Sequence, residues 1–179
     1  QNVAAYIPTN LISITDGQIY LSPDLFKKGV LPAVDPGKSV SRVGGKTQLP
    51  AYRSVAGNLR LSYSQFVELE KFARFSTRLD EETKKDLERG SRVREILKQQ
   101  RYSPLSASRQ IASLLAVNEG VFDSIPVSSV RDAEKTIVES FDKKLGDISS
   151  RIEEGKDLKD EDRRAILSVA RQALDETAE

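Results

Sequence analysis

The chain has no histidine, no cysteine, no methionine and no tryptophan among its 179 residues. Without histidine there is no imidazole to act as general base or zinc ligand, and no Ser-His pairing. Without cysteine there are no disulfides or thiolate metal sites, which fits a reducing compartment. Charge of one sign is scarce too. Lys plus Arg number 28 and Asp plus Glu 27, leaving +1, so no overall field draws the protein to nucleic acid or anionic lipid. No apolar run approaches the ~18 residues of a membrane helix, and no charged-then-apolar leader opens the sequence. With Gln1 first and no methionine, a piece of a longer protein is expected. The length suits one ordinary domain, or a small domain beside a fragment of another.

What is present falls into two textures. Residues 1–48 carry β-branched and aromatic runs broken by turn residues. Leu11-Ile12-Ser13-Ile14-Thr15 reads as a short buried strand closed by Asp16-Gly17, and Gln18-Ile19-Tyr20-Leu21 as its successor. Pro23, Gly29, Pro32, Pro36 and Gly37 leave room for about one helical turn over Asp24 to Lys28. So few strands cannot bury both faces alone, and the region is expected to end a larger sheet domain.

From residue 49 the period lengthens to that of a helix. Ser62 with Gln65 forms a capping-box pattern ahead of the stripe Phe66, Leu69, Phe72 and Ala73. Asp80 is placed to cap a polar helix carrying Leu87, Val93, Ile96 and Leu97, with Gly90 as an expected kink. Ser106 opens a helix with Ile111, Leu114, Leu115 and Val117 inward, ended by Gly120. Pro126 and Ser128 start a long helix through Val130, Ile137 and Phe141. Asp160-Glu161-Asp162 opens the last, with Ile166, Val169, Ala170 and Leu174 inward. Five or six helices joined by short links make a bundle over residues 49–179. The mixed charge clusters of Asp80 to Arg94 and Glu153 to Arg164 read as solvated helix faces.

Gly44-Gly45-Lys46-Thr47 looks like the end of a phosphate-binding P-loop, but the glycine required earlier in that motif is replaced by Val40. Pro50 also follows too soon for the strand-loop-helix context. Arg42, between small residues and a diglycine in SVSRVGG, has two readings. It is a surface arginine paired with a local carboxylate, or a planar donor fork offered to phosphate oxygens.

Four segments, in order, carry a resemblance: IPTNLISITDGQIYL, DLFKKGVLPAVDPGKSVSRVGG, VAGNLRLSYSQFVELEKFARF and ERGSRVREILKQQRYSPL. Together they resemble the alpha subunit of the rotary F-type ATP synthase, closely to about residue 120 and beyond it as a pattern of helices. The resemblance implies the C-terminal third of such a subunit, with the barrel domain and P-loop upstream. It implies a mainly α fold. Residues 1–48 would be the last short strands of a P-loop (RecA-like) α/β nucleotide-binding domain, and residues 49–179 a C-terminal helical bundle. Alpha and beta subunits alternate in that family around a gamma rotor, with catalysis at beta sites.

On this resemblance Arg42 matches an arginine finger acting in trans on the neighbouring beta site. Ser13 matches a serine near the same phosphate region, against the reading of a hydroxyl satisfied within its own strand. Asp16 is assigned to the Asp-Gly turn. Phe26 and Pro32 match residues near the adenine of alpha's own non-catalytic site, and Gln99 a glutamine bonded to that base. Leu31 stands where the family has arginine and Arg101 where it has glutamine. Arg101 then either compensates by stacking on adenine or leaves an altered site, and the departures suggest a divergent bacterial form.

The resemblance further implies ATP or ADP with Mg²⁺ in the full complex and none held by this part alone, which would be inactive by itself. Partners would be beta subunits, the gamma rotor and, through the rest of the subunit, a delta or peripheral-stalk component. The expected place is peripheral, on the cytoplasmic face of a membrane, coupled to ion transport. No nucleic acid and no direct membrane insertion are expected. Two rivals are a related hexameric ATPase, vacuolar-type or flagellar-export, and a standalone helical interaction module.

Overall fold

The computed structural model describes residues 3–57, 59–73 and 79–178. The protein divides into two compact units, residues 1–48 and 49–179.

In the first unit α1 (Tyr6–Ile14) is followed by β1 (Gly17–Gln18), α2 (Pro23–Lys27) and β2 (Val40–Ser41). The strands pair antiparallel with Gly17 opposite Ser41 and Gln18 opposite Val40. A 3-10 turn spans Gly44–Lys46. The expected strand over Leu11–Thr15 is instead the second half of α1. Ile7, Leu11 and Ile14 fall at i, i+4 and i+7, a helical stripe that a window starting at Leu11 conceals. The hydroxyls of Thr9 and Thr15 donate to carbonyls four residues back, and that of Ser13 to the carbonyl three back. Pro8 is accommodated because first-turn N–H groups have no helical partner anyway. The expected strand Gln18–Leu21 is correspondingly short. It pairs with β2 rather than with residues 11–15, and Leu21 makes a separate bridge to Val34.

The second unit contains α3 (Pro50–Ala56), α4 (Leu59–Ala73), α5 (Glu81–Leu97), α6 (Ala107–Asn118), α7 (Val130–Lys144), α8 (Gly146–Glu153) and α9 (Asp160–Ala178). The axis is α6, whose residues Ile111 to Val117 are all buried. It touches α3, α5, α7, α8 and α9. Phe122, Val130, Ile137, Phe141, Ile152, Ile166 and Ala170 close around it. Truncating such a phenylalanine to alanine costs about 3–5 kcal/mol.

The caps are local chemistry. Asp80 Oδ1 accepts from the Thr83 N–H at 2.7 Å, with Glu81 and Glu82 in the first turn. Ser106 precedes α6, and there the Ser108 N–H donates to Glu153 Oε1 at 2.8 Å. Gly120, just past α6, takes φ +73°. Asp162 in the first turn of α9 accepts from the Lys159 N–H at 3.2 Å and pairs with Arg151.

Three expectations change. Ser62 does not cap α4; it lies inside a helix already running from Leu59. Gly90 does not end α5, which continues to Leu97. It makes room for Phe66 of α4, since a Cβ at residue 90 would sit 2.1 Å from Phe66 Cδ2. Among the described residues the bundle also has one helix more than the upper expectation. The segment after Phe141 breaks at Leu145 (φ −128°, ψ 37°), so α8 is separate.

Around Phe66 the α4–α5 seam is fully dressed. Arg94 lies over the Phe66 ring, 4.6 Å from its centroid. Its guanidinium forks onto Glu70 at 2.8 and 2.9 Å and donates to Tyr63 Oη at 3.3 Å. Burial opposes the charge on Arg94, but the bonds to Glu70 and Tyr63 outweigh it and raise its pKa.

Candidate functional site

The first unit presents Arg42 at the end of β2. Its backbone N–H donates to the Asp16 carbonyl at 2.8 Å, extending the β1–β2 pairing by one bond. The residue is exposed. Among the described residues no carboxylate or carbonyl engages its guanidinium. A permanent cation is thus held out by its main chain while its fork stays free.

Gly17 makes that pairing possible. Its φ is +145°, and a Cβ there would lie 2.3 Å from the Val40 carbonyl oxygen. Ser13 stands on α1 just before the turn, and its hydroxyl donates to the Asn10 carbonyl at 2.7 Å. The structure therefore brings Arg42 to the Ser13–Asp16 corner, with Ser13's proton committed locally. Asp16 contributes its carbonyl to hold Arg42.

The Gly44–Thr47 segment is no phosphate cradle. The Gly44 N–H donates to Ser41 Oγ at 3.0 Å, and the Thr47 and Gln48 N–H groups point back at Gly44 and Gly45. Its amides are spent within the turn.

Phe26 and Pro32 share one closed loop of the first unit. Ser22 Oγ accepts from the Leu25 N–H at 3.4 Å and starts α2. The backbone then returns through Val30 N–H to the Leu25 carbonyl (3.0 Å), and Ser22 N–H to the Ala33 carbonyl (2.8 Å). Phe26 is 65% exposed. Leu31 and Pro32, joined by a cis peptide, are exposed as well.

Gln99 and Arg101 lie in the second unit, on the segment between α5 and α6. Both are exposed, and among the described residues neither side chain has a partner. The segment is tied at both ends. Arg131, ion-paired to Glu134 at 2.9 Å, donates to the Lys98 carbonyl. Gln110 Nε2 donates to the Leu105 carbonyl at 2.7 Å while its Oε1 accepts from the Tyr52 hydroxyl. Between these ties stands Tyr102, whose conformation no local sequence pattern announces. Its φ is +59° and it is 98% exposed.

An amide, a guanidinium and an aromatic ring are the groups that address a nucleobase by its edge and face. The donor set on this segment fits a base. Among the described residues no acidic or histidine cluster could hold a metal ion. No helix there is long and apolar enough to cross a membrane.

Two family models match the sequence. One is the C-terminal domain of the ATP synthase alpha/beta chains, over residues 48–173. The other is the nucleotide-binding domain of the ATP synthase alpha/beta family, over residues 1–41. Similar proteins include "ATP synthase subunit alpha 2" of Syntrophus aciditrophicus, 63% identical over 174 residues, covering 97% of this chain and 34% of that protein. "ATP synthase subunit alpha 1" of Rhodopirellula baltica is 58% identical over the same shares, 97% and 34%. "ATP synthase subunit alpha 2" of Syntrophotalea carbinolica is 58% identical over 171 residues, 96% of this chain and 33% of that protein. The chain spans about a third of the length of these curated relatives. Its short strands and the helical bundle after them fit a nucleotide-binding-domain remnant followed by the C-terminal domain. The chain belongs to the ATP synthase alpha/beta family, and within that family its likeness is to alpha subunits.

Proposed function

We propose that this chain forms the C-terminal part of a non-catalytic alpha subunit and supplies Arg42 in trans to a neighbouring beta subunit's catalytic site. The observation that carries the reading is Arg42 itself. It is fixed by its backbone to Asp16, exposed, and free of any carboxylate among the described residues.

A guanidinium so presented stabilises the charge that spreads over the phosphoryl oxygens during transfer, more than it stabilises bound substrate. Such fingers contribute roughly 10³–10⁵ in rate, or about 4–7 kcal/mol of barrier. The Ser13 hydroxyl, donating to Asn10, adds a lone pair but no free proton to that corner. Gln99 and Arg101 offer an amide and a guanidinium to the adenine of the subunit's own nucleotide, and Phe26 with Pro32 offers an apolar surface on its own loop. ATP or ADP with Mg²⁺ would be bound by the full complex, whose phosphate cradle belongs to sequence upstream of this part. Beta subunits, the gamma rotor and a stalk component are the partners on this reading. The complex is peripheral to a membrane and couples ATP turnover to ion transport.

The test is Arg42→Lys in the complete complex. Lysine keeps the charge and loses the fork. Steady-state ATP hydrolysis is expected to fall at least a hundredfold while beta sites still bind nucleotide. Turnover near the wild-type rate would refute the proposal.

A further inference from the structure

Among the described residues Tyr102 is the one non-glycine residue with positive φ, +59°. Tyrosine rarely adopts the left-handed region, and strain of this kind persists where surrounding structure imposes it. Here the imposing structure is visible in the ties at Lys98 and Leu105, made by Arg131 and Gln110. Folding therefore fixes a short segment at both ends and holds an aromatic residue 98% exposed between them. A ring placed that way in water gains nothing from the fold. It gains from a ligand, and pre-ordering the segment lowers the entropy lost on binding.

The neighbours indicate which ligand. Gln99, Gln100, Arg101 and Ser103 are exposed and polar, whereas the core of a protein interface is depleted in charge and gathers apolar side chains. A single ring among amide and guanidinium groups is suited to a flat heterocycle, with the ring on its face and the amide on its edge.

We infer that Tyr102 is a base-stacking residue, offering its ring to the purine of the nucleotide whose edge Gln99 addresses. The inference rests on the proposed assignment of Gln99 to adenine. It adds a specificity element, since stacking selects a nucleotide by its base and is indifferent to its phosphates. It also gives a physical reason for the left-handed conformation, which is held in the absence of any contact of its own.

The experiment uses the full-length subunit and reads binding by calorimetry with two probes, ADP and inorganic tripolyphosphate. Tyr102→Gly removes the ring while suiting the left-handed backbone, Tyr102→Phe keeps the ring, and Gln99→Ala reports on the underlying assignment. Tyr102→Gly is expected to weaken ADP about 5- to 150-fold and to leave tripolyphosphate unchanged, with Tyr102→Phe within about twofold of wild type. If Gln99→Ala weakens ADP and Tyr102→Gly does not, the stacking inference is overturned and the adenine assignment stands. If neither variant affects ADP, both are overturned. Equal loss for ADP and tripolyphosphate, or a defect confined to assembly with partner subunits, would make Tyr102 a structural or interface residue and overturn the inference.

Discussion

The Arg42 backbone N–H donates to the Asp16 carbonyl oxygen at 2.8 Å, so the arginine's main chain is fixed while its guanidinium stays free. The bond depends on the residue between them in the pairing. Gly17 lies opposite Ser41 at φ +145°, with the Val40 oxygen where a Cβ would go. Gly17→Ala is therefore expected to force β2 away and displace Arg42. In the complete complex, hydrolysis should fall at least tenfold with the bundle's thermal melting unchanged, as measured by turnover and calorimetry. A variant of full activity would show that the pairing does not position Arg42.

A second close approach controls stability. A Cβ at residue 90 would lie 2.1 Å from Phe66 Cδ2 and 2.2 Å from its Cγ. Ala has the better helix propensity, yet Gly90→Ala is expected to destabilise the protein by about 1–3 kcal/mol through overpacking. Denaturant unfolding checks this. Adding Phe66→Leu, which shortens the intruding ring, should recover part of the loss, and additive effects of the two changes would contradict the contact.

The pH dependence centres on Glu153. Its carboxylate accepts the Ser108 N–H at the start of α6, and this bond holds its pKa below the ordinary 4.5. A carboxyl depressed by folding stabilises above its unfolded pKa and loses that stabilisation as pH falls through 4.5 toward the folded value. Glu134 acts in the opposite sense, because burial raises its pKa against the pull of Arg131. The comparison is thus wild type against Glu153→Gln. The variant should have the lower urea midpoint at pH 7 and the same midpoint at about pH 3, where both residues are neutral.

Much of the helical unit is legible in the sequence because its signals are short-range. Asp80 and Ser106 each precede an apolar stripe, and each starts a helix. Ile111, Leu114, Leu115 and Val117 have helical spacing and are all buried. The departures have equally local or equally distant causes. Leu11–Thr15 resembles a strand when its β-branched residues are taken without Tyr6 and Ile7, which complete a helix. Gly90 resembles a kink because its reason, the Phe66 ring, belongs to another helix.

The site residues divide the same way. Arg42's chemistry is written in its side chain and its small neighbours, but its presentation depends on Asp16 and Gly17, far earlier in the sequence. Tyr102's backbone is imposed by Arg131 and Gln110, which no local pattern around QQRYSPL reveals. Long-range hydrogen bonds to main-chain carbonyls leave no periodic signature in a sequence.

The most direct measurement of Arg42's role is trapping of ADP with fluoroaluminate, which mimics the phosphoryl group in flight, in complete complexes carrying wild-type Arg42 or Arg42→Lys. An arginine finger binds that mimic more strongly than it binds ATP. The expected result is unchanged ATP binding to beta sites with trapping slowed at least tenfold in the variant. Trapping at the wild-type rate would contradict the role given to Arg42.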